Sequence, residues 1–78
     1  MKTKETIDWD VLLSNRNNRT VMKRFATGMY STSAVTQAFA HTAYAGEFRR
    51  LIRNNGTTYA RRLARKALRY RGLLSPVS

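Results

Sequence analysis

The stretch TTYARRLARKALRYRG, residues 57 to 72, predicts a helix, because its apolar side chains recur at helical spacing. They cover about half of a helical wheel, and Gly72 is placed to end the helix. These apolar positions are Tyr59, Ala60, Leu63, Ala64, Ala67, Leu68 and Tyr70. The stretch also holds six basic side chains and no acidic one. The sequence therefore predicts a basic amphipathic helix, capped by Thr57 or Thr58 and followed by Leu73 in contact with Leu68.

The N-terminal half contains signals for three further helices. Asp8 is placed as the N-cap of a first helix that Trp9 anchors, and the polar residues 14–19 that follow predict a loop or hinge. A second helix is expected from Arg19 to Tyr30, and residues 31–33 (STS) supply caps for a third that begins near Ala34. The apolar face predicted for the second helix consists of Met22, Phe25, Ala26 and Met29.

The middle of the chain changes its apolar face. At about 100° per residue, Val35 and Phe39 share one side of a helix, whereas Tyr44 and Phe48 lie on the other. A long helix between two packing partners would satisfy this pattern, but we expect a break or kink near Gly46. The helix after the break is expected to end at Gly56, in the left-handed conformation that glycine adopts readily.

Length and composition indicate one small domain, residues 1–78, with a single modest core. The expected fold is all-α, a small bundle of three to five short helices that ends in the basic helix. The N-terminus (1–6) and the C-terminal tail (73–78) are candidates for flexible segments. The chain has no cysteine, so neither a disulfide framework nor a thiolate metal site is expected, and cysteine content gives no indication of the compartment. Neither a secretory signal nor a membrane span is evident, and we therefore expect a cytoplasmic or other intracellular location.

The charge distribution is the strongest functional signal. The net charge is +11, and the nine basic residues from Arg49 to Arg71 are not interrupted by any acid. Such a concentration repels itself unless a polyanion neutralises it. Eleven of the fifteen cations are arginine, whose guanidinium binds phosphate in a bidentate manner and stacks on bases. A polyanion-binding face is therefore favoured over an ordinary solvated helix face, which would mix charges of both signs.

The predicted nucleic-acid-binding residues fall into two groups. The last helix contributes a cationic ridge, and a second cluster precedes the turn at residues 54–56. The set consists of Arg49, Arg50, Arg53, Arg61, Arg62, Arg65, Lys66, Arg69, Tyr70 and Arg71. Tyr44, Tyr59 and Tyr70 could stack on unpaired bases, which would favour single-stranded or irregular RNA; the alternative is that they belong to the core.

Nothing in the sequence predicts catalysis, a metal site or a cofactor. His41 is the only histidine, and the four carboxylates are Glu5, Asp8, Asp10 and Glu47. No arrangement of nucleophile, base and orienting group is evident among these residues. We therefore expect a protein that is not an enzyme.

Two segments are similar to known nucleic-acid-binding elements. Residues 25–39 resemble a helix-turn-helix, although Arg24 stands where that motif has a small residue. The stretch YARRLARKALRYRGLLSP, residues 59–76, resembles the C-terminal helix of the small-subunit ribosomal protein conventionally numbered eighteen. A tyrosine, alternating arginines and a closing Leu-Leu-Pro recur there, with a one-residue gap near Gly72. This resemblance implies binding to ribosomal RNA, but it covers less than a quarter of the chain and assigns no family.

The expected function is that of a small basic nucleic-acid-binding protein, in contact mainly with phosphates, within a ribonucleoprotein or nucleoprotein assembly. RNA is slightly favoured over DNA as the partner. The alternative is a small interaction or inhibitor protein, of host or viral origin, whose basic face docks on an acidic protein surface. Membrane binding fits less well, because the apolar face of the last helix is mostly alanine.

Overall fold

The computed structural model describes residues 7–74, and this range folds into five α-helices without a strand. The helices are α1 Trp9–Ser14, α2 Arg16–Ala26, α3 Thr32–Ala38, α4 Tyr44–Asn55 and α5 Thr57–Tyr70. The predicted all-α bundle with a basic C-terminal helix is confirmed. Leu73 and Leu74 pack against the core. The N-terminal segment (1–6) and residues 75–78 of the tail, both proposed to be flexible, lie outside the described residues.

Helix α1 begins as predicted, but the prediction of a loop or hinge at residues 14–19 is wrong. The Asp8 carboxylate accepts a hydrogen bond from the backbone N–H of Val11, as an N-cap does. Residues 14–19 do not form a loop, because the side-chain oxygen of Asn15 accepts a hydrogen bond from the N–H of Asn18 and caps α2. Helix α2 therefore starts at Arg16, directly after α1.

Helix α2 ends earlier than predicted, at Ala26. The N–H of Met29 donates to the carbonyl of Arg24 at 2.7 Å, and that of Gly28, whose φ is +89°, donates to Phe25 at 3.2 Å. This pair of bonds is a Schellman ending. Met29, expected on the buried face, lies past the end of the helix and is 74% exposed. The Ser31 hydroxyl then caps α3 through the N–H of Ala34, so the predicted cap is confirmed.

The predicted break in the middle of the chain is present, but it lies at residues 39–43 rather than at Gly46. Helix α3 stops at Ala38, and the N–H of Thr42 donates to the carbonyl of Phe39. The Thr42 hydroxyl then accepts a hydrogen bond from the N–H of Tyr44, the first residue of α4. Gly46 is accommodated in the first turn of α4. The chain thus reverses its buried face before Tyr44.

Helices α4 and α5 are joined by the single residue Gly56, with φ +91° and ψ +161°. Its N–H donates to Ile52 at 2.8 Å and its carbonyl accepts from Ala60 at 3.1 Å, so it serves both helices. Contrary to expectation, neither Thr57 nor Thr58 caps α5, since the helix starts at Thr57 without a side-chain cap. At the other end, the N–H of Leu73 donates to the Leu68 carbonyl at 2.8 Å, which agrees with the predicted ending.

The core is built around three phenylalanines contributed by different parts of the chain. Phe48 of α4 stacks on Phe39 with ring centroids 5.5 Å apart. It also makes edge contacts with Phe25 of α2 at 6.2 Å and with Trp9 of α1 at 6.1 Å. Ala60 and Ala64 of α5 are fully buried against this cluster. Because the alanine side chain is short, α5 lies close to the phenylalanine cluster. This position determines which groups of α2 the longer basic side chains of α5 can contact.

Candidate functional site

The predicted cations of α4 and α5, together with Arg71, which follows α5, have two kinds of surroundings. Arg61 is partly buried, and its Nη1 donates to the carbonyls of Phe25 at 2.7 Å and Tyr30 at 2.9 Å. Its guanidinium carbon lies 4.7 Å from the centroid of the Phe25 ring. Arg61 therefore satisfies carbonyls where α2 ends and packs on an aromatic face of the core.

Arg65 and Arg71 are also engaged within the protein. Arg65 donates from Nη1 to the Ala26 carbonyl at 2.9 Å, one helical turn along α5 from Arg61. Arg71 forms an ion pair with Asp10 at 2.8 Å and donates to the Ala67 carbonyl at 2.9 Å. Two guanidinium groups thus lie at the C-terminal end of α2, where the helix dipole favours positive charge. These three predicted site residues therefore make hydrogen bonds or an ion pair within the protein.

The second set of cations projects into solvent. It comprises Arg49, Arg50 and Arg53 of α4 together with Arg62 and Lys66 of α5. None of the five makes an ion pair with a carboxylate of residues 7–74. Arg69, the remaining predicted cation of α5, is half-buried. We refer to the five exposed residues as the free cations.

The described carboxylates are committed elsewhere. Asp8 caps α1, and Asp10 pairs with Arg71. Glu47 is half-buried in the first turn of α4, where the helix dipole favours a negative charge. The free cations of α4 and α5 therefore face solvent without neutralisation by the part of the chain that is described.

Two tyrosines share the solvent-facing side of α5 with Arg62 and Lys66. Tyr70 is 85% exposed and Tyr59 is 39% exposed, although both were assigned to the apolar face of this helix from the sequence. The guanidinium carbon of Arg71 lies 5.6 Å from the centroid of the Tyr70 ring. Tyr44, by contrast, is half-buried and packs edge-on against Phe39 at 5.8 Å. The outer face of α5 is therefore basic and aromatic together.

Other surfaces carry less chemistry. An open groove between α3 and α4 is lined mainly by neutral side chains, among them Thr36 and Gln37, with Arg49 at its edge. In the segment that resembles a helix-turn-helix, residues 27–31 join α2 to α3. Helix α3 contains no basic residue that could contact a phosphate. His41 is exposed. Within residues 7–74, no three potential metal ligands among histidine, aspartate and glutamate lie together.

No protein-family model matches the chain, and no curated protein or solved structure is significantly similar to it. The short resemblance of residues 59–76 to a ribosomal protein accordingly does not extend to a family assignment. No helix in the described range is both long and apolar enough to cross a membrane.

Proposed function

We propose that the protein is a non-enzymatic nucleic-acid-binding protein that contacts phosphates through its free cations. These are Arg49, Arg50, Arg53, Arg62 and Lys66. The bound strand belongs to a larger ribonucleoprotein or nucleoprotein assembly. Binding is mainly to the backbone and carries little base-specific recognition, because arginine and lysine contacts to phosphate contain no sequence information.

The observation that carries this proposal is the absence of acidic partners around the free cations within residues 7–74. Arg62 and Lys66 are spaced i and i+4 on one helix, and Arg49 and Arg53 have the same spacing on another. Like charges at this spacing destabilise a helix by about 0.2 to 0.5 kcal/mol for each pair. A bound polyanion removes that repulsion and converts it into attraction.

The type of the free cations and the contacts that hold α5 in place also support the proposal. Four of the five free cations are arginine, which can bind a phosphate through two parallel hydrogen bonds. Arg61 and Arg65 fasten α5 to the end of α2, so the helix that presents Arg62 and Lys66 is held in place. Less ordering of the protein is then required on binding, which favours affinity.

The test is fluorescence anisotropy of labelled oligonucleotides with purified, nuclease-treated protein. Two variants remove the free cations, Arg62→Gln with Lys66→Gln and Arg49→Gln with Arg50→Gln and Arg53→Gln. A matched control, Arg16→Gln with Lys23→Gln, removes two exposed charges from α2. We expect each site variant to weaken binding by about 10-fold or more, since a hydrogen bond to a charged group contributes about 1.5 to 3 kcal/mol. The control should weaken binding less than threefold (about 0.65 kcal/mol).

Equal losses in the control and the site variants would mean that net charge alone matters and would contradict an interface on α4 and α5. Undetectable binding to any nucleic acid at low salt would overturn the proposed function. In that case the alternative is a basic face that docks on an acidic protein. A few arginines would then dominate the binding energy, whereas phosphate binding spreads it over the whole set.

A further inference from the structure

The exposed residues of α5 alternate between aromatic and basic along one line. Tyr59, Arg62, Lys66 and Tyr70 follow at i, i+3, i+7 and i+11, so they share one face of the helix. At 1.5 Å per residue, the Cα atoms of the two tyrosines are about 16 Å apart. At about 3.4 Å per stacked nucleotide, this distance is about five nucleotides of a single strand. Two rings thus bracket two cations on a strip long enough for a short strand.

The Tyr70 ring is supported from within the protein. Arg71 lies 5.6 Å from the ring centroid, and its guanidinium is held by Asp10 and by the carbonyl of Ala67. A cation near the face of an aromatic ring attracts the ring electrostatically, which favours the arrangement in which the two groups are in contact. Because Tyr70 remains 85% exposed, most of the ring is available to a ligand. A ring that is already supported loses less freedom when a base stacks on it.

We propose that the outer face of α5 binds single-stranded nucleic acid, with bases stacked on Tyr59 and Tyr70 and the intervening phosphates on Arg62 and Lys66. This inference rests on the proposed function and names the substrate class of the same surface. Alternating basic and aromatic groups match a strand whose phosphates and bases are both accessible. In a duplex the base faces are covered by their neighbours, so the two rings would gain little.

The strip distinguishes unpaired from paired strands rather than RNA from DNA. Stacking on a ring and contact with a phosphate involve neither the 2′ position of the sugar nor the identity of the base. We therefore expect oligo-dT and oligo-U of the same length to bind within about threefold of each other, a difference of about 0.65 kcal/mol. A blunt duplex of mixed sequence should bind the same protein at least 10-fold more weakly at moderate salt.

Tyrosine substitutions test the stacking directly. Each base stacked on an aromatic ring contributes about 1 to 3 kcal/mol, so Tyr70→Leu should weaken oligo-dT binding by about 5-fold to 150-fold. Tyr70→Phe keeps the ring and should bind within about twofold of the wild type, about 0.4 kcal/mol. Tyr59→Leu and Tyr59→Phe should behave in the same way. Met29→Ala removes a large apolar side chain outside α5 that is 74% exposed, against 85% for Tyr70, and it serves as the control that should leave affinity unchanged.

Circular dichroism melting of each variant separates loss of stacking from loss of folding. If Tyr59→Leu is destabilised, the Tyr70 variants alone test stacking, because Tyr70 is almost fully solvent-exposed and its substitution should not affect folding. Full affinity in Tyr70→Leu, or duplex bound as tightly as single strand, would overturn this inference. If Arg62→Gln with Lys66→Gln still weakened binding in that event, phosphate binding would stand without stacking. Failure of every oligonucleotide to bind would instead overturn the proposed function.

Discussion

At the scale of single residues, neighbours in the sequence have opposite roles. Arg61 donates two hydrogen bonds to backbone carbonyls around the end of α2, whereas Arg62, the next residue, projects into solvent. A turn of 100° per residue separates a side chain directed at α2 from one directed at water. The arginines therefore cannot be treated as a uniform ridge, and substitutions at adjacent positions should affect different properties.

Arg61→Gln is expected to destabilise the fold, because it removes two charge-assisted hydrogen bonds and a contact with the Phe25 ring. With allowance for partial solvent screening, we expect a loss of about 2 kcal/mol. For a domain of this size the loss corresponds to a thermal midpoint lower by about 10 °C. Arg62→Gln is the matched control and should change stability by less than about 0.5 kcal/mol. Equal midpoints for the two variants would contradict the division of roles.

The sequence predicts this division only in part. It identified the complete set of cations in α5, because charge and helical periodicity are local properties. It did not separate Arg61 and Arg65 from Arg62 and Lys66, because that separation depends on where the end of α2 lies in space. Tyr59 and Tyr70 were placed on the apolar face for a related reason, since they lie near its boundary and only the packing of neighbouring helices decides their exposure.

At the scale of helices, the junction of α4 and α5 depends on Gly56. Its dihedral angles, φ +91° and ψ +161°, lie in a region that is essentially restricted to glycine. The cost of a side chain there is conformational, because a Cβ atom at this position would meet nothing within 4 Å. The reversal of direction between the two basic helices is therefore set by one residue.

Gly56→Ala is expected to destabilise the protein by about 1 to 3 kcal/mol despite the open space around it. Gly46 provides the matched control, since it lies within α4 and a Cβ atom there would also meet nothing within 4 Å. Gly46→Ala should stabilise the protein by about 0.5 to 1 kcal/mol, because alanine favours the helix and restricts the unfolded chain. Urea denaturation of both variants measures the two effects. Stability changes of the same sign would contradict this account of the junction.

Helix types were more predictable than helix boundaries. The Asp8 cap, the Ser31 cap and the change of apolar face before Phe48 are all visible in short windows of sequence. The start of α2 was missed because Asn15 was assigned to a polar loop, although asparagine is also a strong N-cap. Gly56 was predicted to end α4, but its second role at the start of α5 depends on the tight geometry of the turn.

At the scale of the whole molecule, a small core is opposed by a large excess of positive charge. Phe48 contacts aromatic rings from three other parts of the chain, whereas the net charge is +11. Repulsion among exposed cations lowers stability most at low ionic strength, where charges act over about 30 Å rather than 10 Å. The surface that we propose to bind a polyanion is therefore also expected to weaken the unbound fold.

Replacing the free cations of α4 should consequently stabilise the protein while it weakens binding. In 10 mM salt, Arg49→Gln with Arg50→Gln and Arg53→Gln is expected to melt a few degrees above the wild type, and the difference should shrink in 0.5 M salt. Melting curves at the two salt concentrations provide the measurement. A midpoint lowered by the substitutions in both salts would show that these arginines support the fold and would argue against their assignment as free.

The measurement that tests the central claim most directly is the salt dependence of oligo-dT affinity for the wild type and for Arg62→Gln with Lys66→Gln. Each phosphate contact with a single strand contributes about 0.7 to the slope of log affinity against log salt concentration. Five free cations predict a slope of about −3.5, and the double variant should lower its magnitude by about 1.4. Arg16→Gln with Lys23→Gln should leave the slope nearly unchanged. An identical slope for the wild type and the Arg62/Lys66 variant would contradict the assignment of these cations to phosphate.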